Sequence, residues 1–349
     1  MNLKNLSAKD KIHNYFINFI KKKRFKKIYK KFENSLNLDS SFAVAVSGGP
    51  DSMALVFLSK VYSIKNGLNP KFYIVNHNLR KNSTSEANLV QKVLRKFYIN
   101  AKVLNWVGKK PTSNLQSISR DKRFKLLFKE CKNYKISNIL LGHHIDDLYE
   151  NFFIRILRGS GLKGLISLGK KTTIDNINIL RPLLDISKSE LEFISTNTFN
   201  FFVKDPSNYN EKFQRIKIRK LIHVLQNNGL DKKKFLLTIR NLKYSDDVIN
   251  FYKKQNINEN SFFSVKKKKL IINEAFFQQP HEIIFRSFSE LIKMVGKKYY
   301  KVRGKKLDKV ILGIKSNNFL KVTLGGCIIE KVNQTVILTK ESKQNVTNA

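Results

Sequence analysis

Between Phe42 and Tyr62 the chain runs from an apolar stretch, Phe42-Ala43-Val44-Ala45-Val46, through Ser47-Gly48-Gly49-Pro50-Asp51-Ser52 into a helical pattern with apolar positions at Ala54, Leu55, Leu58, Val61 and Tyr62. A buried strand that feeds directly into an amphipathic helix is half of a βαβ unit, which points to a parallel sheet covered by helices. The two glycines let backbone N–H groups approach an anion with no Cβ in the way, and the helix start aims its unpaired N–H groups at the same point. Phosphate suits that geometry. The spacing is neither G-x-x-x-x-G-K-[ST] nor G-x-G-x-x-G, so a P-loop NTPase and a Rossmann dehydrogenase are both poor readings.

The same rhythm continues. Phe72–Val75, Val103–Trp106 and Ile139–Gly142 read as further strands, with helices around Glu86–Phe97 and Leu115–Lys132 between them. Residues 41–225 are therefore expected to form an α/β domain, a parallel sheet with helices on both faces. Ligands of such sheets bind beyond the carboxyl ends of the strands, and the polar clusters of this sequence begin where strands stop. Residues 1–40 read as a basic helical extension. Residues 226–349 lose the alternation and read as a smaller basic α+β domain, with a helix at Gln278–Met294 and short strands at Lys321–Leu324, Ile328–Lys331 and Thr335–Leu338.

Lys and Arg number 67 against 26 Asp and Glu, a net charge of +41 over 349 residues. Self-repulsion of that size adds nothing to stability and points to a polyanionic partner, most simply nucleic acid. A membrane surface fits less well, because Lys21–Lys27 shows no large apolar face in the sequence. The two cysteines, Cys131 and Cys327, are far apart, which argues against a disulfide framework, a zinc knuckle or an iron–sulfur site. With no signal-like apolar core and no run of membrane-spanning length, the expectation is a cytoplasmic protein with no obligate protein partner.

A second cluster, Gly142-His143-His144-Ile145-Asp146-Asp147-Leu148-Tyr149-Glu150, opens a helix whose apolar stripe runs through Leu148, Phe152 and Ile156, with Asp147, Glu150, Arg155 and Arg158 on the other side. Acids near a helix start complement its dipole. Two adjacent histidines beside three acids exceed that need and suggest a bound cation or an amine, whereas H-H-x-D-D lacks the spacing of a zinc helix. Downstream, Arg158-Gly159-Ser160-Gly161-Leu162-Lys163-Gly164-Leu165 pairs glycines with cations suited to a ribose-phosphate chain, and Arg215 and Arg219 share a helical face. Arg158, Lys163, Arg215 and Arg219 are thus candidate contacts to a nucleic-acid backbone. Ser187-Lys188-Ser189-Glu190 has the form of a capping box.

In content and order, S-G-G-P-D-S, His77-Asn78-Leu79-Arg80, the G-H-H-I-D-D-L-Y-E cluster, the Arg158–Leu165 loop, Arg181-Pro182-Leu183-Leu184 and Asp205-Pro206-Ser207-Asn208 resemble the tRNA(Ile)-lysidine synthases, short form. These belong to the PP-loop, or N-type ATP pyrophosphatase, superfamily with its adenine-nucleotide α-hydrolase-like fold. The resemblance implies a ligase that uses ATP to adenylylate the wobble cytidine of an isoleucine tRNA with a CAU anticodon and then joins free L-lysine to it. It implies ATP contacts at Ser47, Gly48, Gly49, Pro50, Asp51 and Ser52, with Mg2+ at Asp51. It further implies a lysine site at Asp147 and Glu150 and catalytic roles for Asp51, Arg120 and Asp147. The C-terminal domain is implied to grip tRNA, with Lys266–Lys269 and Lys297–Lys301 available to phosphates. Asn76, Asn151 and Ile216 depart from the usual aspartate, threonine and asparagine of the pattern. Another PP-loop tRNA-modifying enzyme and a catalytically inactive RNA-binding protein are the alternatives.

Overall fold

A computed structural model describes residues 8–79, 82–108, 115–203, 214–265, 269–297, 302, 304–316 and 321–341, and the chain divides into two compact units, Met1–Asp231 and Lys232–Ala349. The first unit carries helices α1 (Ala8–Lys21) and α2 (Lys23–Glu33), then β1 (Ala43–Val46), α3 (Pro50–Asn66), β2 (Lys71–Asn76), α4 (Ser83–Lys96), β3 (Ala101–Asn105), α5 (Leu115–Asn133), β4 (Asn138–Leu140) and α6 (Ile145–Leu157). It continues through α7 (Leu162–Leu165), β5 (Lys171–Ile174), β6 (Ile177–Leu180), α8 (Lys188–Phe199) and α9 (Gln214–Asn227).

The sheet order is β3-β2-β1-β4-β6-β5. All neighbours are parallel except the β5–β6 hairpin, which pairs antiparallel at one edge. Alternate residues of each strand enter different cores. Val44, Val46, Phe72 and Ile74 join α3, α4 and α8 on one face, while Ala43 and Tyr73 meet Leu127, Phe128 and Cys131 of α5 on the other. The α/β sheet with helices on both faces is therefore present. The hairpin was not foreseen, because Lys-Thr-Thr-Ile in β5 is a short, half-exposed edge with no apolar alternation.

Two local rules set the boundaries of α3. Gly49 is its N-cap with Pro50 in the first turn, so the helix begins three residues before its apolar pattern, and Gly67 closes it with φ +64°. The lysine-rich α2 proves amphipathic: Phe25, Ile28, Tyr29 and Phe32 are buried. Each such side chain is worth about 2 kcal/mol over its exposed state. Phe16 of α1 packs on Phe57 of α3, with ring centroids 5.5 Å apart, so the N-terminal helices complete the core of the α/β unit.

The second unit begins with the 29-residue α10 (Lys232–Asn260) and holds β7 (Ser261–Ser264), β8 (Lys269–Ile272), α11 (His281–Gly296), α12 (Gly304–Lys315), β9 (Lys321–Leu324), β10 (Cys327–Val332) and β11 (Thr335–Lys340). Its sheet, β7-β8-β11-β10-β9, is antiparallel throughout. Ile284, Phe288, Leu291 and Ile292 of α11 bury against it. The three C-terminal strands lie close to where the sequence places them; β7 and β8 were missed. No described helix is long and apolar enough to cross a membrane.

Candidate active site

Strand order reverses between β1 and β4, and the loops leaving their carboxyl ends lie side by side there. A Cβ on Gly142, after β4, would stand 3.4 Å from the backbone of Ser52. The loop Ser47–Ser52 is shaped from within: the Ser52 hydroxyl accepts from the Ser47 N–H at 3.2 Å and from the Ser47 hydroxyl at 3.1 Å, and donates to the Gly49 carbonyl at 3.0 Å. Ser52 is therefore a pin, and the exposed Ser47 and the N–H groups of the helix start face outward for an anion. Gly48 has φ +85° and accepts from the Val203 N–H at 2.9 Å; a Cβ there would sit 2.6 Å from a Val90 methyl.

Asp51, in the first turn of α3, places Oδ2 3.6 Å from His144 Nε2. Asp147 Oδ2 is 3.6 Å from the same nitrogen and accepts from the His144 N–H at 2.9 Å. The phosphate-type loop and the acidic turn thus share one buried imidazole. His144 is the N-cap of α6 and is fixed by a parallel bridge to Leu183, so the Arg181–Leu184 segment sets its position. Burial opposes charge on this ring, but contact with Asp51 and the charges of Asp147, Asp51 and Asp146 outweigh it and lift its pKa to about 9. When neutral, Nδ1 accepts from the Asp146 N–H at 3.2 Å; when charged, it faces the Asp146 carboxylate at 3.5 Å. His143 behaves oppositely: enclosure holds it well below the usual histidine range, Asp147 partly offsets this, and Arg181, Arg123 and Arg120 reinforce it.

Those cations place Arg120 and Arg123 beside the cluster. Arg120 also helps burial hold Arg181 down to about 10, and Arg181 itself donates to the Gly169 carbonyl at 2.8 Å and the Thr172 hydroxyl at 2.9 Å. Asp147 therefore stands between a carboxylate side and a cationic side. Glu150 was read as lying on the polar face of its helix, yet its side chain is only 4% exposed and is ion-paired with Arg219 of α9. Arg219, a candidate tRNA contact, is thus tied to the site through Glu150 while its own side chain stays 41% exposed. Burial works against its charge, and Glu150, with the more distant Asp147 and Asp146, raises its pKa. Arg158 is exposed at the end of α6, where Gly159 takes φ +62° as a helix cap, and Lys163 is exposed on α7. The side chain of Arg215, and Arg80, Asp205–Asn208, Lys266–Lys268 and Lys298–Lys301, lie outside the described residues. His144 and Arg181 stand in the candidate site although neither was among its sequence-predicted residues; the adjacent histidines before two aspartates were the available signal.

The PP-loop domain family matches residues 18–225, more than half of the chain. Over 90% of its length the chain is 31% identical to the tRNA(Ile)-lysidine synthase of Wolbachia pipientis wMel, covering 74% of that protein. Over 86% of its length it is 34% identical to the tRNA(Ile)-lysidine synthase of Orientia tsutsugamushi, covering 69% of it. The chain belongs to the tRNA(Ile)-lysidine synthase family. Among solved structures, the U34-tRNA thiolase NcsA from Methanococcus maripaludis shares its fold, with a TM-score of 0.55 and 20% identity over 63% of this chain and 79% of that one.

Family membership makes the departures informative. Asn76 is 3% exposed, and its amide donates to the Thr84 hydroxyl and to Asn105 Oδ1, each at 3.0 Å, which a carboxylate cannot do. Asn151 donates to the Ser167 hydroxyl at 3.1 Å. Both amides brace loops of the lysidine synthase fold, and the Ile216 side chain is outside the described residues.

Proposed function

We propose that the chain is a tRNA(Ile)-lysidine synthase acting in two steps within this one site. The C2 oxygen of the wobble cytidine attacks the α-phosphorus of ATP; a P–O bond forms, the α–β bridge breaks and pyrophosphate leaves. The ε-amine of free L-lysine then attacks C2, the C2–O bond breaks and AMP departs. The observation that carries this reading is His144, whose Nε2 lies 3.6 Å from both Asp51 and Asp147, so the ATP half and the amine half converge on one group.

The start of α3, Ser47 and the glycine backbone receive the phosphates, and Arg120 and Arg123 supply charge opposite them. Asp51 Oδ1 is buried with no hydrogen-bond partner, which fits it to Mg2+, a cation that takes one or two carboxylates and fills its shell with phosphate oxygens and water. A bound Mg2+ would neutralise charge on the departing pyrophosphate. Lysine arrives as an ammonium, with a reference pKa of about 10.4, and must lose a proton before it attacks. Asp147 is placed to hold that ammonium and draw off the proton. Glu150 is engaged by Arg219, so an ammonium reaches it only by replacing the guanidinium. Arg158 and Lys163 are proposed to meet tRNA phosphates.

The deciding assay is ATP-dependent attachment of radiolabelled lysine to an isoleucine tRNA with a CAU anticodon, with release of AMP and pyrophosphate. Incorporation that disappears in Asp147→Ala supports the reading. Binding of the tRNA without lysine transfer by the wild type overturns it. Thiolation is the weaker reading, because Cys131 and Cys327 are each buried, in different units.

A further inference from the structure

Between Tyr244 and Asn256, α10 reverses the usual arrangement of a surface helix: its buried residues are polar and its large apolar residues are exposed. Polar groups tie it to α11. Asp246 pairs with Arg286, Lys253 Nζ lies 2.7 Å from Glu290 Oε2, and the Asn256 amide donates to the Ser287 hydroxyl at 3.4 Å. Tyr244, Val248 and Phe251 are 61%, 57% and 66% exposed. These three belong to a longer row. Leu237, Asn241, Tyr244, Val248, Phe251 and Gln255 are all exposed and follow one another at steps of four, three, four, three and four residues, the spacing of a coiled-coil seam about 27 Å long. A contiguous exposed apolar row of this kind marks an interaction surface.

Charge narrows the occupant. The whole chain carries 67 cations against 26 acids, yet residues 240–259 hold four cations and three acids, so a second copy can approach here without the repulsion that most of the chain imposes. We propose that α10 pairs antiparallel with α10 of a second copy about a two-fold axis. The flanking charges select direction and register. Arg240, Asp247 and Lys254 run along one edge of the seam, and in an antiparallel pair that edge faces its own counterpart. With Val248 against Phe251 of the second copy, and Tyr244 against Gln255, Asp247 of each copy meets Lys254 of the other. The same register carries Leu237 toward the second copy's β7, where Phe262 is exposed. Sliding the helices by one heptad brings Asp247 against Asp247 and Arg240 against Lys254, while a parallel pair sets Asp247 against uncharged Tyr252. This association is independent of the reaction proposed above.

The test is sedimentation of the full chain without tRNA, from about 1 to about 100 µM, in about 0.15 M salt, where a Debye length of about 8 Å screens repulsion between whole chains. The contact is small for a protein interface, so dimerisation in the micromolar range is expected. Val248→Glu brings a carboxylate into the seam from each side and should weaken the dimer at least a hundredfold, with urea unfolding of the monomer unchanged because Val248 is exposed there. Asp247→Lys should weaken it about tenfold by setting like charges together. Asp247→Lys/Lys254→Asp, whose net charge equals that of the wild type, should restore it. A wild type that stays monomeric at about 100 µM overturns the proposal, as does a dimer that Val248→Glu leaves intact or that the charge swap fails to restore. In a monomer, a loss of tRNA affinity on Tyr244→Ala/Phe251→Ala would assign the face to base stacking instead.

Discussion

The glycine loop and the first turn of α6 meet at His144, but different kinds of contact hold them in shape. Ser47, Gly49 and Ser52 bond one another within six residues, and Gly48 adds one carbonyl bond to Val203. The acidic turn depends on partners far away in sequence: Leu183 bridges His144, and Arg219 pairs with Glu150 across 69 residues. A loop built locally keeps its form in any context that allows its backbone angles. A turn built from charges keeps its form only while every partner stays charged. The largest expected effect tests whether the two work as one site: Asp51→Asn should lower lysine transfer about a thousandfold, far beyond what the loss of its contact with His144 costs in stability, since it removes the carboxylate fitted to hold Mg2+ beside the departing pyrophosphate. A loss below tenfold would separate the loop from the chemistry.

The loop should break through backbone and packing, the turn through pH. Gly48→Ala forces a side chain into φ +85° and 2.6 Å from Val90, costing about 3 kcal/mol in urea unfolding. For the turn, the His144 pKa of about 9 lies above its ordinary value of 6.5. A group raised on folding stabilises fully below its unfolded pKa and loses that contribution as pH climbs through the folded one. Stability measured without divalent cations should therefore fall between about pH 6.5 and 9 by roughly 2 to 3 kcal/mol, and His144→Asn should remove most of that slope. A wild-type profile flat over this window would show that the imidazole carries no charge there.

This contrast also explains what could be read in advance. Ser47–Ser52, four of the five parallel strands and the Ser187 capping box, in which Ser187 and Glu190 bond reciprocally, are all written in residues a few places apart. The burial of Glu150 was invisible, because its helix pattern places it among polar residues and only the arrival of Arg219 from α9 makes its burial tolerable. His144 was seen as one of a pair, and nothing along the chain told it from His143, which the fold drives in the opposite direction. The apolar face of α2 went unnoticed because seven of its eleven residues are charged. Arg219→Gln sharpens the point: it should cost about 2 kcal/mol by stranding a buried carboxylate, less than a fully enclosed pair because the guanidinium is 41% exposed. It should also lower the KM for lysine, as no guanidinium then competes for Glu150.

The smallest effect concerns Asn76, which ends β2 near the glycine loop but bonds in neither manner alone. Its amide nitrogen serves Thr84 and Asn105 while its oxygen accepts from the Asn78 N–H at 3.1 Å, so one side chain ties two strands and the α4 start together. Asn76→Asp keeps the acceptor and loses both donors. The Thr84 hydroxyl can rotate and the Asn105 amide can turn over to donate instead, so the expected cost is about 1 kcal/mol rather than the full penalty of two stranded groups. Adding Asn105→Asp should remove that escape, and the two changes together should cost more than their sum, because two carboxylates would then face each other at 3.0 Å. Additive costs would place the escape elsewhere. A fall in kcat at unchanged stability would move Asn76 from brace to reaction site, and the line between locally and distantly built parts would have to be redrawn around it.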